Sequence, residues 1–252
     1  QQPYILQDIA CLNQYQGMVP NQELWRYCLE VIPYYQEKYG IDGARIDMGH
    51  ALPLELNREI VARVKARNPK FILWSEEFEP EKGETAGKNG FHFISGNLWS
   101  VYNELDKPDF RERLIQTLKS AALPLTAALE TPDTPRMALV HRERQKICLL
   151  LFLNYLLPNA VPFINNGMEL LETQPMNLGL NNDENGRFVL AKEDPMYGKL
   201  AFFDNYRLHW LSSEQEWFRC LLNKALEIRS DFAEIIKERA NLISQRGHFN
   251  NH

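Results

Sequence analysis

One pattern constrains the fold of this chain more than any other: a short apolar run stops in acidic residues, and a helix-like stretch follows before the next run. It occurs at Gly43-Ala44-Arg45-Ile46-Asp47, at Phe71-Ile72-Leu73-Trp74-Ser75-Glu76-Glu77, and at Leu123 to Leu129 followed by Glu130-Thr131-Pro132-Asp133. Phe91–Ile94 and Ala160–Ile164 are two further apolar runs of strand length. Carboxylates are costly to bury without a partner or a purpose. Strands alternating with helices imply a parallel sheet, and acids gathered at strand C-terminal ends suit the active-site mouth of an α/β barrel. Asp47 and Glu76 are separated by about one βα unit of roughly 30 residues, and Glu76 and Asp133 by about two. Read alone, Arg45 and Asp47 serve equally well as an ion pair capping a strand. Their spacing from the other acids favours a site.

The intervening stretches carry helical periodicity. Asn21 is placed to cap a helix with Glu23 in its first turn; Leu24, Tyr27, Cys28 and Val31 recur at helical spacing, Pro33 is expected to kink it, and Gly40 stops it. A second helix is expected over 55–67, with Leu56, Ile60 and Val64 on one face, others over 107–121 and 137–157, and one or two over 213–240. Residues 1–20 and the charged segment 79–90 read as loops, and a polar tail follows from 241. The Asn-, Gly- and Pro-rich segment 171–212 is too long for a connector and is expected to cover substrate.

The composition, 44% hydrophobic and 24% charged over 252 residues, is that of a globular protein able to bury a sizeable core. A net charge of −5 with scattered Lys and Arg argues against a nucleic-acid partner, and no apolar run is long enough for a membrane span. Cys11, Cys28, Cys148 and Cys220 lack metal-ligand spacing and read as free thiols, so no metal site and no cofactor are expected, and the setting expected is reducing and cytoplasmic. Calcium binding is not legible in these residues.

Paired carboxyl groups about 5–5.5 Å apart suit retaining glycoside chemistry, one as nucleophile and one as acid/base. At this point the motifs resemble a known family. Gly43-Ala44-Arg45-Ile46-Asp47, Trp74-Ser75-Glu76 and Glu130-Thr131-Pro132-Asp133 are similar to the second, third and fourth conserved regions of the α-amylase family, glycoside hydrolase family 13. Val161 to Glu169 resembles that family's last barrel strand and the Gly-x-Glu after it.

The resemblance, over roughly residues 21–230, implies Asp47 as nucleophile, Glu76 as general acid/base, Asp133 as transition-state stabiliser and Arg45 as the cation paired with Asp47. Glu77 is the weaker candidate for the acid. His50 would contact substrate; Trp99 and Tyr102 would either stack on sugar or pack in the core, and Phe93 is expected in the core. The resemblance also implies an α-glucan or maltooligosaccharide substrate, with hydrolysis and glycosyl transfer both open, and a non-catalytic carbohydrate-binding role or an inactive fragment as alternatives. Thr131-Pro132 stands where many family members have Asn-His, and His50 lies three rather than four residues after the nucleophile. With Glu169 to Pro175, these departures resemble the maltosyltransferases that use maltose 1-phosphate. Five strands match the fourth to the eighth of an eight-stranded barrel. The expected fold is therefore the C-terminal part, about five βα units over residues 1–240, of a (β/α)8 barrel, completed by an N-terminal portion of the same protein or by a second chain. His92 and His209 carry no partner pattern and are expected to be ordinary histidines.

Overall fold

Parallel strands need long crossovers, and helices supply them here. The computed structural model describes residues 18–19, 21–182, 184–212 and 215–237. In chain order the elements are α1 (Gln22–Tyr39), β1 (Gly43–Ile46), α2 (Leu54–Arg67), β2 (Ile72–Ser75), α3 (Gly83–Lys88), β3 (Phe93–Ile94), α4 (Leu98–Tyr102), α5 (Phe110–Ser120), β4 (Leu125–Ala127), α6 (Met137–Val140), α7 (Arg144–Tyr155), β5 (Ala160–Pro162), α8 (Glu216–Asp231) and α9 (Ala233–Lys237). The strands form one sheet in the order β1-β2-β3-β4-β5. The pairs β1–β2, β2–β3 and β3–β4 are parallel. The chain divides into two compact units, one holding residues as far as Asn97 together with Gln116–Leu125, the other Leu98–Ile115 and the residues from Thr126.

In the first unit the register is Gly43↔Ile72 through Ile46↔Ser75, then Trp74↔Phe93 and Ser75↔Ile94, then Ile94↔Leu125. Gly43 is needed here, because a Cβ on it would lie 2.9 Å from the Ile72 carbonyl oxygen. Helix α1 begins as expected: the Asn21 side chain accepts from the Leu24 N–H at 3.1 Å, and Gly40, at φ 63°, closes the end. It runs uninterrupted through Pro33 to Tyr39.

Its inner face differs from expectation. Leu29 and Pro33 are buried, whereas Leu24, Tyr27 and Val31 are exposed together with Tyr34, Tyr35 and Tyr39. That face packs against α2, and at its exposed rim Arg63 pairs with Glu30 while Arg67 reaches Glu37 and the Pro33 carbonyl. Helical periodicity marks apolar stripes but does not say which of two faces the core. Leu56, Ile60 and Val64 of α2 are buried as expected, and Phe71, Leu73, Ile94, Leu118 and Leu125 are buried in the same unit.

Segment 79–90 is not the solvated loop its charges suggest. It forms a short 3-10 turn over Pro80–Lys82 and then α3, with Pro80, Gly83 and Ala86 buried. Gly83 permits this: a Cβ there would come within 3.1 Å of the Leu123 backbone nitrogen.

In the second unit Leu150, Leu151 and Tyr155 of α7 and Phe218 and Ala225 of α8 are buried. The helix expected over 137–157 is two, because His141 and Glu143 adopt extended backbone between α6 and α7, and no Gly or Pro marks that break. Of the one or two helices expected over 213–240 the described residues show two, α8 and α9, separated at Phe232. Asn154, wholly buried, donates to the Ala127 carbonyl of β4 at 2.9 Å, and the Tyr155 hydroxyl donates to the Phe163 carbonyl at 2.8 Å. Among the described residues the segment 171–212 contains no strand and only one 3-10 stretch, Glu184–Phe188. Cys28, Cys148 and Cys220 are free. The expectations for residues 1–17, for Cys11 and for the tail from 241 lie outside the described residues.

Arg229 of α8 gathers the end of α7. Its guanidinium donates to the carbonyls of Tyr155, Leu157 and Ala160. Arg229→Met keeps the packing volume but leaves these acceptors without their donor. It is expected to lower the unfolding free energy by about 2–3 kcal/mol in denaturant melts.

Candidate active site

Parallel registration delivers two acids to one place. Because Ile46 pairs with Ser75, the next residues, Asp47 and Glu76, leave the sheet side by side, and the ladder continues one step further through the Glu76 N–H to the Ile46 carbonyl at 3.1 Å. Two carboxylates so placed repel, and a cation between them relieves the repulsion. Arg45 provides it: one guanidinium nitrogen lies 2.5 Å from Asp47 Oδ1 and the other 3.0 Å from Glu76 Oε1. The Arg45 guanidinium also lies 5.4 Å from the centre of the Trp74 ring, which stacks on Phe93 and donates from Nε1 to Ser95 Oγ at 3.1 Å. Phe93 thus acts as packing support.

The two acids differ in their surroundings. The Asp47 side chain is 70% exposed, that of Glu76 only 9%. Burial pushes the Glu76 carboxyl above the ordinary glutamate value; the Met48 N–H and Arg45 oppose this, and the nearby Asp47 adds to it. One acid open to solvent beside one that holds its proton more tightly is the division of labour that acid/base chemistry requires.

The turn after β1 completes the arrangement. Met48 donates its N–H to Glu76 Oε2 at 2.7 Å from a left-handed backbone, φ 49°, that a side-chain-bearing residue rarely adopts. Gly49 follows, where a Cβ would lie 2.7 Å from Ser75 Oγ, and Asn57 of α2 fixes its carbonyl at 2.8 Å. His50 Nδ1 lies 2.6 Å from the Glu76 carbonyl oxygen, so His50 joins the same turn to the end of β2. Glu77 turns away, accepting the Glu79 N–H at 2.9 Å.

Asp133 belongs to the second unit. Its N–H donates to Thr131 Oγ1 at 3.3 Å, and its Oδ1 accepts from Asn177 Nδ2 at 2.8 Å. The loop carrying it is closed at the base by Glu130, which accepts from Arg136 at 2.7 Å, from Asn165 at 2.9 Å and from the Met137 N–H at 2.7 Å. Glu130 and Arg136 are both fully buried, and three donors on one carboxylate are what such a buried pair needs to be tolerable.

Trp99 and Tyr102 lie on the core side of the alternatives drawn for them. They are 8% and 1% exposed in α4, and burial raises the Tyr102 hydroxyl well above its usual value. Rings packed inside cannot offer a face to a sugar, so the stacking role is withdrawn. Sequence reasoning also missed Met48, Asn177, Arg136 and His209. The first acts through its backbone and Asn177 through a partner 44 residues away, so neither leaves a local pattern; Arg136 pairs with Glu130 only six residues before it, but in a loop with no helical or strand period to mark the pair. His209 is not an ordinary histidine. Its Nδ1 lies 2.8 Å from the buried Glu172 and its Nε2 3.0 Å from Asp194, while its N–H donates to Glu172 at 2.6 Å. His92 is also partnered, accepting the Leu73 N–H at 3.0 Å. Among the described residues no group of three or more His, Cys, Asp or Glu could hold a metal ion, and no helix is long and apolar enough to cross a membrane.

No family model matches the sequence. The chain is similar to alpha-1,4-glucan:maltose-1-phosphate maltosyltransferase of Rhodospirillum rubrum, with 29% identity over 153 residues that cover 60% of this chain and 22% of that protein. Its fold is similar to that of an α-amylase from Anoxybacillus, with a TM-score of 0.57 and 17% identity over 88% of this chain and 45% of that one. It is also similar to cyclic alpha-maltosyl-(1→6)-maltose hydrolase from Arthrobacter globiformis, with a TM-score of 0.58 and 17% identity over 90% of this chain and 47% of that one. The chain therefore spans about a fifth of the length of the curated relative and less than half of these solved chains. Its five-stranded α/β fold matches part of the (β/α)8 barrel of these solved chains.

The His209 contacts predict a pH dependence. Burial alone would lower the His209 pKa, but hydrogen bonds to Glu172 and Asp194 outweigh it and the net shift is upward from 6.5. A raised folded pKa contributes stability in full below the unfolded value, and that contribution disappears as pH rises through the folded value. Denaturant melts of wild type and His209→Gln from about pH 5 to about pH 9 should show their largest difference at the acidic end and a declining one above neutrality. A difference independent of pH would contradict it.

Proposed function

We propose that this chain, whose motifs resemble those of the α-amylase family, glycoside hydrolase family 13, and whose fold is similar to that of an α-amylase, supplies the acids of a retaining α-glucan-active glycosidase or glycosyltransferase. The observation that carries the reading is Arg45 bridging an exposed Asp47 and a buried Glu76 whose pKa is raised. Asp47 attacks the anomeric carbon and forms a covalent glycosyl-enzyme. Glu76 protonates the departing glycosidic oxygen, then deprotonates the incoming acceptor, water or a sugar hydroxyl. Asp133 stabilises positive charge at the anomeric carbon. Arg45 holds the two carboxylates of the first unit in place, and His50 contributes to substrate binding from the turn beside them.

The substrate proposed is an α-glucan or maltooligosaccharide, with maltosyl transfer from maltose 1-phosphate favoured by the likeness to the Rhodospirillum rubrum protein. Activity is proposed for a longer protein in which strands preceding β1 complete the barrel. Among the described residues β1 is the edge of the sheet, and α1, the helix that precedes it, exposes Leu24, Tyr27, Val31, Tyr34, Tyr35 and Tyr39. Such an edge and such an apolar helix face suit further barrel strands and their helices.

The test is to incubate the full-length protein with maltodextrin and, separately, with maltose 1-phosphate and an acceptor glucan, and to identify the products. Chain extension with phosphate release marks transfer; shortened oligosaccharides mark hydrolysis. Asp47→Asn and Glu76→Gln are each expected to lower turnover by about 10²–10⁴-fold with the circular dichroism spectrum unchanged. Wild-type rates in both variants would sink the proposal, and binding without any product would indicate a carbohydrate-binding role instead.

A further inference from the structure

The segment 171–212 reaches the acid loop of its own unit at one point. Asn177 donates from Nδ2 to Asp133 Oδ1 at 2.8 Å, and its own carbonyl accepts from Asn182 Nδ2 at 3.2 Å. Two residues on, Gly179 lies against the Asp133 main chain so closely that a Cβ on it would come within 2.8 Å of the Asp133 carbonyl oxygen and 3.0 Å of its Cβ. Behind Asp133, Thr131 donates its N–H to Thr134 Oγ1 at 2.8 Å, and the buried Glu130–Arg136 pair closes the loop. Asp133 is thus gripped from the loop side by its own turn and from the other side by residues 177–182.

We propose that Asn177 is a positioning residue for Asp133, so that the long segment helps to build the active site as well as border it. This rests on the reading of Asp133 as the acid that stabilises developing positive charge. A carboxylate in that role must keep its charge and hold one orientation. A neutral amide meets both needs, because its N–H fixes Oδ1 and directs Oδ2 without the neutralisation that a Lys or Arg would bring. Gly179 supplies the close approach that lets the amide reach. Without the amide donor Asp133 rotates about its side-chain bonds, and misplacement on the scale of 1 Å costs about 10²-fold in rate.

The test uses the full-length protein and a maltooligosaccharide substrate. Asn177→Ala removes the donor, and Asn177→Leu removes it while keeping a similar size and adding no charge beside Asp133, so the second variant serves if the first folds poorly. Each is expected to lower kcat by about 10–100-fold with KM within about twofold and the thermal midpoint within a few degrees. Asp133→Asn, measured alongside, is expected to lower kcat at least as far. If Asp133→Asn is impaired while both Asn177 variants keep kcat within twofold of wild type, the positioning role is wrong and the reading of Asp133 stands. If Asp133→Asn turns over at the wild-type rate, the reading of Asp133 fails and the inference fails with it.

Discussion

The pairing of Ile46 with Ser75 is the constraint from which the rest of the candidate site follows. Parallel strands in this register release their next residues together, so Asp47 and Glu76 leave the sheet as neighbours. Side-chain direction alternates along a strand, and a slip of one residue would turn one of the two acids to the opposite face. Once the acids are adjacent, a cation between them is required, and Arg45, two residues before Asp47 on the same strand, points the same way. Its guanidinium matches two carboxylates at once with a planar fork of donors, which a lysine would not do. The left-handed Met48 and the tight Gly49 are local costs of the same geometry, because the chain must turn back sharply for the Met48 N–H to reach Glu76.

The second unit solves a similar problem in another way. Asp133 sits on a loop, where mobility would be the default. The loop is held at its base by the fully buried Glu130 and Arg136, an arrangement that is destabilising unless every donor and acceptor is well placed. Glu130 meets this with three donors. The segment 171–212, poor in regular structure, is held by side chains in the same manner: Gln174 donates to the carbonyl of Lys199 at 2.8 Å, and His209 joins Glu172 to Asp194. Polar clasps add to the buried Met176, Met196 and Leu200 where the sequence is too rich in Asn, Gly and Pro to build a helix or strand.

Much of this was legible in the sequence. The three acid-ended strands, the caps of α1 and the buried face of α2 follow from period, capping residue and charge placement, which act over a few residues. The inner face of α1 was not legible, because it is chosen by packing against another helix, α2. The helix in segment 83–88 was hidden by its charges, since only the packing of Gly83 against the chain near Leu123 gives it an inner side. The break between α6 and α7 carries no Gly or Pro. Of the candidate site, Arg45, Asp47 and Glu76 were marked by their place at strand ends, whereas Asp133 lies on the loop after β4 and was marked by its motif; the burial of Trp99 and Tyr102 was not legible, because a ring beside a strand end suits core and ligand alike until burial decides. Asn177 and His209 find their partners across 44 and 37 residues, a distance over which no local pattern reaches.

The central claim is that Asp47, the exposed member of the Arg45-bridged pair, is the nucleophile. The most direct measurement is to trap the glycosyl-enzyme in the full-length protein with a slow-turnover fluorinated maltosyl donor and to locate the modified residue by peptide mass spectrometry. The account predicts a single adduct on the carboxylate of Asp47, absent from Asp47→Asn. An adduct on Glu76, Glu77 or Asp133 instead would contradict it.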